Sequence, residues 1–189
     1  MISKLIKEIK KPIEARYPRL AGKKLTKKSY PALREEIEDG DMICYEARSW
    51  RILYRPFALG ICLRTSSWWS HVGVARWIGG RLFLLEARPV GGVAPRPLSG
   101  RLDDGAYWIP LNVGYGKKED HLATEKFGKI YGFLDILMTA IGLNTFFKGM
   151  HCAEYFKHVY GIKNKDEQNG IEDTPVAAVE WALERIRTV

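Results

Sequence analysis

Cys152 occupies a position in which a cysteine can act as a nucleophile. The loop-like stretch Lys148-Gly149-Met150 precedes it, and apolar residues then recur at helical spacing until Gly161, which is placed to end the helix. Cys152 is therefore predicted to lie in the first turn of a helix, where unpaired backbone N–H groups and the helix dipole favour thiolate over thiol. The alternative is a structural thiol, because free cysteines are among the most buried residues. A histidine and a carboxylate placed beside Cys152 would favour the nucleophile over the structural thiol.

A predicted β-hairpin supplies such a pair. Strand-like stretches at 70–78 and 81–87 flank a two-residue turn, Gly79-Gly80. In the register set by this turn, His71 and Glu86 are diagonal neighbours on one face, with Cβ atoms about 7 Å apart or less. A carboxylate bonded to one ring nitrogen fixes the tautomer and leaves the other nitrogen free to act as a base. The three residues therefore indicate nucleophilic catalysis.

The residue opposite Glu86 in this register is Gly73, which has no side chain to block the reach of His71. A slip of one residue would place the pair on opposite faces. Each member also has an ordinary interpretation, His71 as a histidine satisfied by backbone groups and Glu86 as a solvated strand carboxylate. Their shared face favours function.

The elements around this hairpin predict one α+β catalytic domain over residues 38–189. A first strand is expected at 42–45 and another at 106–111, and helices at about 120–129, at 131–137 and after Thr174-Pro175. The stretch 88–105 is rich in Pro, Gly and Arg and is interpreted as an excursion that borders a substrate groove. Residues 50–64 fit either a helix or a loop.

Composition excludes several classes of site. The three cysteines, Cys44, Cys62 and Cys152, are widely separated and lack the spacing of a zinc site, so neither a disulfide framework nor a metal is predicted. No phosphate-binding glycine loop is present, and no cofactor is expected. Neither a membrane span nor a signal peptide is recognised. We expect a cytoplasmic or peripheral membrane protein, with export by another route left open.

Residues 1–37 are predicted to form a basic, amphipathic arm. Residues 1–28 carry ten basic residues against Glu8 and Glu14, which accounts for the whole net charge of +8 and leaves the remainder neutral. This distribution argues against a domain-wide nucleic-acid surface, and nucleic acid ranks below an anionic membrane or cell-wall polymer as a partner of the arm. Apolar residues at helical spacing predict a helix to about Lys11, ended by Pro12. The helix either attaches residues 1–28 to an anionic membrane or cell-wall polymer, or docks on its own domain.

Five short motifs in this order resemble the circularly permuted branch of the NlpC-type papain-like superfamily, whose members are called YiiX-like or YaeF-like. The resemblance spans about residues 38–180. In ordinary papain-like enzymes the cysteine precedes the histidine, whereas the permuted branch has the order His, Glu, Cys that is seen here. The resemblance implies an α+β fold with a small antiparallel sheet or partial barrel packed against helices, and a nucleophilic cysteine at a helix N-terminus. The motifs are Asp39-Gly40-Asp41-Met42-Ile43, Ser70-His71-Val72-Gly73-Val74, Leu85-Glu86-Ala87, Cys152-Ala153-Glu154-Tyr155-Phe156 and Thr174-Pro175.

The resemblance also implies roles for single residues. Cys152 is the nucleophile, His71 the general base and then acid, and Glu86 the orienting group, while the backbone N–H of Cys152 helps to bind the oxyanion. Tyr45, in the place where relatives often carry a polar helper, and Trp69 are candidates for the oxyanion site or the pocket wall.

Three polar side chains near Cys152 complete the set of candidates. His151 and His158 are rival bases by proximity in sequence and rank below His71. Glu154 fits a structural carboxylate in the first turn of the helix.

The expected function is a cysteine amidase or endopeptidase that cleaves cell-wall peptides through an acyl-enzyme. One alternative is a lipid-directed acyltransferase or thioesterase at a membrane surface, which would explain the basic arm. A second is a non-catalytic binding module on the same fold. The partner is thus a peptide or acyl substrate, and the sequence indicates neither the bond cleaved nor the oligomeric state.

Overall fold

A computed structural model describes residues 4, 7–8, 10–47, 62–63, 65–102, 104–132, 149–163, 170 and 172–188. The predictions for residues 50–64, for the helix at 131–137 and for the first helix of the arm lie wholly or mostly outside these described residues.

The described residues form an antiparallel sheet of six strands with helices packed on it, which confirms the predicted α+β class. The strand order is β1-β6-β2-β3-β4-β5. The strands are β1 (Lys24–Leu25), β2 (Met42–Glu46), β3 (Trp69–Ile78), β4 (Arg81–Arg88), β5 (Gly92–Pro97) and β6 (Ala106–Ile109). The α-helices are α1 (Ile13–Arg16), α2 (Tyr30–Leu33), α3 (Lys117–Thr124), α4 (Cys152–Tyr160) and α5 (Pro175–Leu183), and short 3-10 helices cover Pro18–Leu20, Arg34–Glu36 and Leu98–Arg101.

The hairpin of β3 and β4 has the predicted register. Ile78 pairs with Arg81, and Ala75 pairs with Leu84. Both turn residues, Gly79 and Gly80, have positive φ angles of 56° and 73°, the backbone that a two-residue hairpin turn requires and that glycine adopts without a steric penalty.

The stretch predicted as an excursion contains a strand. Residues 92–97 form β5, which pairs with β4 at the edge of the sheet. Pro95 and Pro97 made a strand look improbable, but an edge strand tolerates proline because its outer N–H groups need no partner. The 3-10 helix that follows β5 brings Arg101 to Glu86 of β4.

Apolar side chains cover both faces of the sheet. Alternate residues of β2 divide between two clusters, as the period of a strand requires. Met42 and Cys44 lie with α4 and α5 in the larger cluster. Ile43 and Tyr45 lie on the other face, where residues 30–37 and the segment after β5 cover them.

Part of the predicted arm packs on the sheet. Ile13 and Leu20 are buried in the larger cluster, and β1 pairs with β6. The Tyr107 hydroxyl donates to Glu14 Oε1 at 2.8 Å. Residues of the predicted arm from Ile13 to β1 thus pack against the sheet, while the division into an arm and a domain at residue 38 stays a prediction.

The helices begin and end largely where local signals placed them. The Thr174 hydroxyl accepts from the Ala177 N–H at 3.3 Å and caps α5, as predicted. The helix expected at 120–129 lies earlier, at Lys117–Thr124, because Glu119 caps its start by accepting from the Gly116 N–H at 2.9 Å. Within the described residues, no helix has the length and apolar character that a bilayer crossing needs.

Candidate active site

The helix α4 begins at Cys152, as predicted. His151 is its N-cap, with Nδ1 accepting from the Glu154 N–H at 3.4 Å while Glu154 Oε2 accepts from the His151 N–H at 3.4 Å. This reciprocal pair is a capping box, so Glu154 has the structural role expected of it. At the other end Gly161 ends the helix with a φ of 61°. Cys152 is therefore held in the first turn, among backbone N–H groups that lack helical partners.

The two rival histidines make other contacts. His151 is engaged in the cap. His158 lies a turn and a half along α4, and its Nε2 is 2.8 Å from Glu125 Oε1 in an exposed pair. Neither geometry directs the imidazole to a role as the base for Cys152, so both rank below His71.

Cys152 is buried, with 3% of its surface exposed, and its sulfur contacts His71. Burial alone would raise the pKa of the thiol. The charge and hydrogen bond of His71, together with the backbone N–H groups of Val72 and Ala153, outweigh burial and hold the pKa of Cys152 below its ordinary value. The side chain is thus poised as a thiolate.

His71 links Cys152 to Glu86. Its Nε2 lies 2.6 Å from Glu86 Oε2, which confirms the predicted contact across the hairpin. Because Nε2 is bonded to the carboxylate, Nδ1 is the nitrogen that remains for the sulfur of Cys152. Burial would lower the pKa of His71, but Cys152 and Glu86 together raise it. A lowered thiol pKa beside a raised imidazole pKa favours a thiolate–imidazolium pair.

Glu86 is fully buried and surrounded by arginines. Arg101 donates to the same oxygen, Oε2, that bonds His71, and one nitrogen each of Arg88 and Arg96 lies 3.8 Å from Oε1. Burial would raise the pKa of Glu86, but His71, Arg101 and Arg88 lower it below the ordinary value. Glu86 is therefore held as a carboxylate in a site that water does not reach.

Arg101 was not predicted from the sequence. It lies in a stretch rich in proline and glycine, and its approach to Glu86 depends on the pairing of β5 with β4, which local patterns did not indicate. The one sequence signal was the density of arginines between 88 and 101.

Tyr45 lies beside the imidazole. Its ring centroid is 5.7 Å from that of His71, and the Cζ atom of Arg101 is 4.1 Å from the Tyr45 ring. The ring is fully buried, which raises the pKa of the phenol. Among the described residues its hydroxyl has no hydrogen-bond partner. Tyr45 thus packs against both the His71 imidazole and the Arg101 guanidinium.

One expectation needs correction. Trp69 is fully buried in the larger cluster, with its ring 5.5 Å from Tyr17 and 5.7 Å from Tyr107, so it occupies a core position and does not line a pocket.

A side chain at Gly73 would collide with Leu84 and with the carbonyl of Leu85, so the glycine is required by packing between the strands as well as by the reach of His71.

The backbone just before Cys152 crosses closely over residues 131 and 132. A Cβ atom on Gly149 would overlap the backbone of Gly132, so this crossing needs glycine. The Met150 N–H donates to the Ile130 carbonyl at 3.1 Å beside it. Burial raises the pKa of the neighbouring Tyr131, and the charge of Cys152 raises it further.

No protein-family model and no curated protein matches the chain. Among solved structures, the chain is similar to the crystal structure of the metalloprotein YiiX from Escherichia coli O157:H7, with 23% sequence identity and a TM-score of 0.50. The similarity covers 65% of this chain and 64% of YiiX, which is less than two thirds of that protein. Over this part, the chain shares the fold of YiiX.

Proposed function

We propose that this protein is a cysteine hydrolase of the amidase or endopeptidase type. Cys152 is the nucleophile, His71 the general base and acid, and Glu86 the residue that orients the imidazole. The observation that supports this assignment is the continuous buried chain of contacts from the Cys152 sulfur through His71 to Glu86. A nucleophile, a base and an orienting group within hydrogen-bond reach are the recurring parts of covalent acyl-transfer catalysis.

The reaction follows from these positions. The Cys152 thiolate attacks the carbonyl carbon of the scissile bond, and the backbone N–H of Cys152 donates to the oxyanion that forms. Imidazolium His71 gives its Nδ1 proton to the leaving amine, and the amide bond breaks to leave a thioester on Cys152. His71 then takes a proton from water, whose oxygen attacks the thioester. The acid product leaves, and the thiolate–imidazolium pair is restored.

We further propose that the fold is that of the permuted papain-like branch. The order His71, Glu86, Cys152 along the chain and the position of Cys152 at a helix start support this proposal, while the similarity to YiiX concerns the shared fold alone. In such an enzyme the hairpin of β3 and β4 contributes the base and the carboxylate, and the start of α4 contributes the nucleophile.

YiiX is described as a metalloprotein, and a metal ion at this site would need several His, Cys, Asp or Glu ligands close together. The described residues contain no group of three His, Cys, Asp or Glu side chains that could hold a metal ion. The carboxylate of Glu86 is surrounded by the guanidinium groups of Arg88, Arg96 and Arg101, whose charge opposes a cation there. The described residues of this site therefore do not fit a metal ion.

Cell-wall peptides are the substrate that we propose, with a lipid-directed acyl transfer as the second candidate. The second candidate is favoured by the charge of residues 1–28, which carry the entire net charge of +8 and suit an anionic membrane. The same charge suits an anionic cell-wall polymer, so the substrate is decided by experiment.

The deciding experiment incubates the full chain with purified peptidoglycan and, separately, with vesicles of anionic and zwitterionic phospholipid, and determines product masses by mass spectrometry. Cys152→Ala is the matched control. We expect peptide fragments that have gained water from peptidoglycan with the wild type alone. Acylated lipid products would favour the second candidate. Products that also form with Cys152→Ala, or no product from either material, would contradict the proposed function.

A further inference from the structure

We propose that Arg101 is a positioning residue of this site, which holds Glu86 as an oriented carboxylate and thereby keeps the proton of the imidazolium on His71. The inference rests on the proposed function of Cys152, His71 and Glu86. It adds a residue from the segment after β5 that neither the motifs nor the comparison with YiiX indicates.

The contacts of Arg101 fix its guanidinium on three sides. One terminal nitrogen donates to Glu86 Oε2, the oxygen that also bonds His71 Nε2. The Nε atom donates to Asp104 Oδ2 at 3.0 Å. The ring of Tyr45 packs 4.1 Å from Cζ, a distance suited to a cation–π contact. A guanidinium held in this way presents a fixed donor to Glu86.

Arg101 differs from the two other arginines near Glu86. Its side chain is 7% exposed, against 31% for Arg88 and 20% for Arg96, so solvent screens its charge least. Arg96 directs its N–H groups to backbone carbonyls, including those of Glu86 and Val90. In the part of the chain that the structure describes, Arg101 is the arginine that donates a hydrogen bond to the Glu86 carboxylate.

Without Arg101, burial would act on Glu86 with less opposition. A buried carboxylate that loses a charged donor takes up a proton more readily. The nearest proton is that on His71 Nε2, 2.6 Å from Glu86 Oε2. Its transfer would leave a neutral imidazole and a neutral carboxyl group, and the Cys152 thiolate would lose its cationic partner. Among the residues that the structure describes, the other titratable or charged groups near the site are Tyr45, Arg88, Arg96, Asp104 and Tyr131.

The test is the pH dependence of Cys152 alkylation by iodoacetamide, measured by mass spectrometry of the peptide that contains Cys152. For Arg101→Gln we expect the midpoint to rise by about one pH unit, so that the rate at a pH below both midpoints falls about tenfold. Arg101→Lys should recover part of the loss, because it restores the positive charge. Arg81→Gln is the matched control, since it removes an exposed arginine at the other end of β4, beside the hairpin turn. Its profile should match that of the wild type.

A double-mutant cycle separates positioning from a general structural effect. If Arg101 acts through Glu86, Arg101→Gln should change the profile little in a Glu86→Gln background. Equal losses in both backgrounds, or an Arg101→Gln profile identical to that of the wild type, would overturn the inference. Circular dichroism is used to select a temperature at which each variant is folded. If Arg101→Gln does not fold, the comparison is made with Arg101→Lys alone. The proposed function fails separately, if the wild-type midpoint is that of an ordinary thiol at about 8.5.

Discussion

Replacing Cys152 with alanine is expected to abolish hydrolysis, and replacing His71 with asparagine to lower kcat/KM by about 10³-fold or more. Asparagine keeps a hydrogen-bonding group near Glu86 but cannot exchange a proton at neutral pH. The thiolate would lose its cationic partner, and the leaving amine would lose its proton donor. The measurement is kcat/KM for both variants on the substrate that the product analysis identifies.

Cys62→Ala is the control for this pair of variants. Cys62 is buried with Ala47 and Trp68, and burial raises its pKa to about 12, so it is a structural thiol. Its replacement should leave kcat/KM near that of the wild type. Retained hydrolysis in Cys152→Ala, or an equal loss in Cys62→Ala, would contradict the assignment of the nucleophile.

Replacing Glu86 with glutamine is expected to destabilise the fold by about 1–3 kcal/mol, because it removes the buried counter-ion of Arg101 and leaves the partly exposed Asp104 as its acidic partner. Glutamine keeps the shape of the side chain, so the effect reports charge and not a cavity. The free energy of unfolding in urea measures it. A double variant, Glu86→Gln with Arg101→Met, should be more stable than Glu86→Gln alone, since it also removes the buried positive charge of Arg101.

The contribution of Glu86 to the free energy of unfolding should depend on pH. Burial opposes ionisation of Glu86, but His71 and the arginines hold its pKa below that of the unfolded chain. Its contribution is therefore fully present above the unfolded value of about 4.3 and is lost as the pH falls through the lower, folded value. The difference between wild type and Glu86→Gln should shrink with acidification below about pH 4. A difference that is constant with pH would contradict the role of the charge.

The parts of the site that depend on local sequence could be predicted. The turn Gly79-Gly80 sets the register of its own hairpin, and the register places His71 beside Glu86. The start of α4 depends on a cap within a few residues of Cys152. Both signals are short in range, so the sequence contains them directly.

The parts that depend on distant packing could not be predicted. The contact of Arg101 with Glu86 requires β5, whose prolines argue against a strand unless the strand is known to lie at a sheet edge. The burial of Trp69 between Tyr17 and Tyr107 depends on residues before the predicted domain. Patterns along the chain do not report which strand is at an edge or which side chains meet there.

The most direct test of the account is the pH dependence of Cys152 alkylation in the wild type and in His71→Asn. A lowered thiol pKa keeps the thiolate present as the pH falls below the ordinary midpoint of about 8.5. We predict that the wild-type midpoint lies below that value and that His71→Asn raises it. A wild-type midpoint at or above about 8.5, unchanged in His71→Asn, would contradict the thiolate–imidazolium pair on which the proposed function rests.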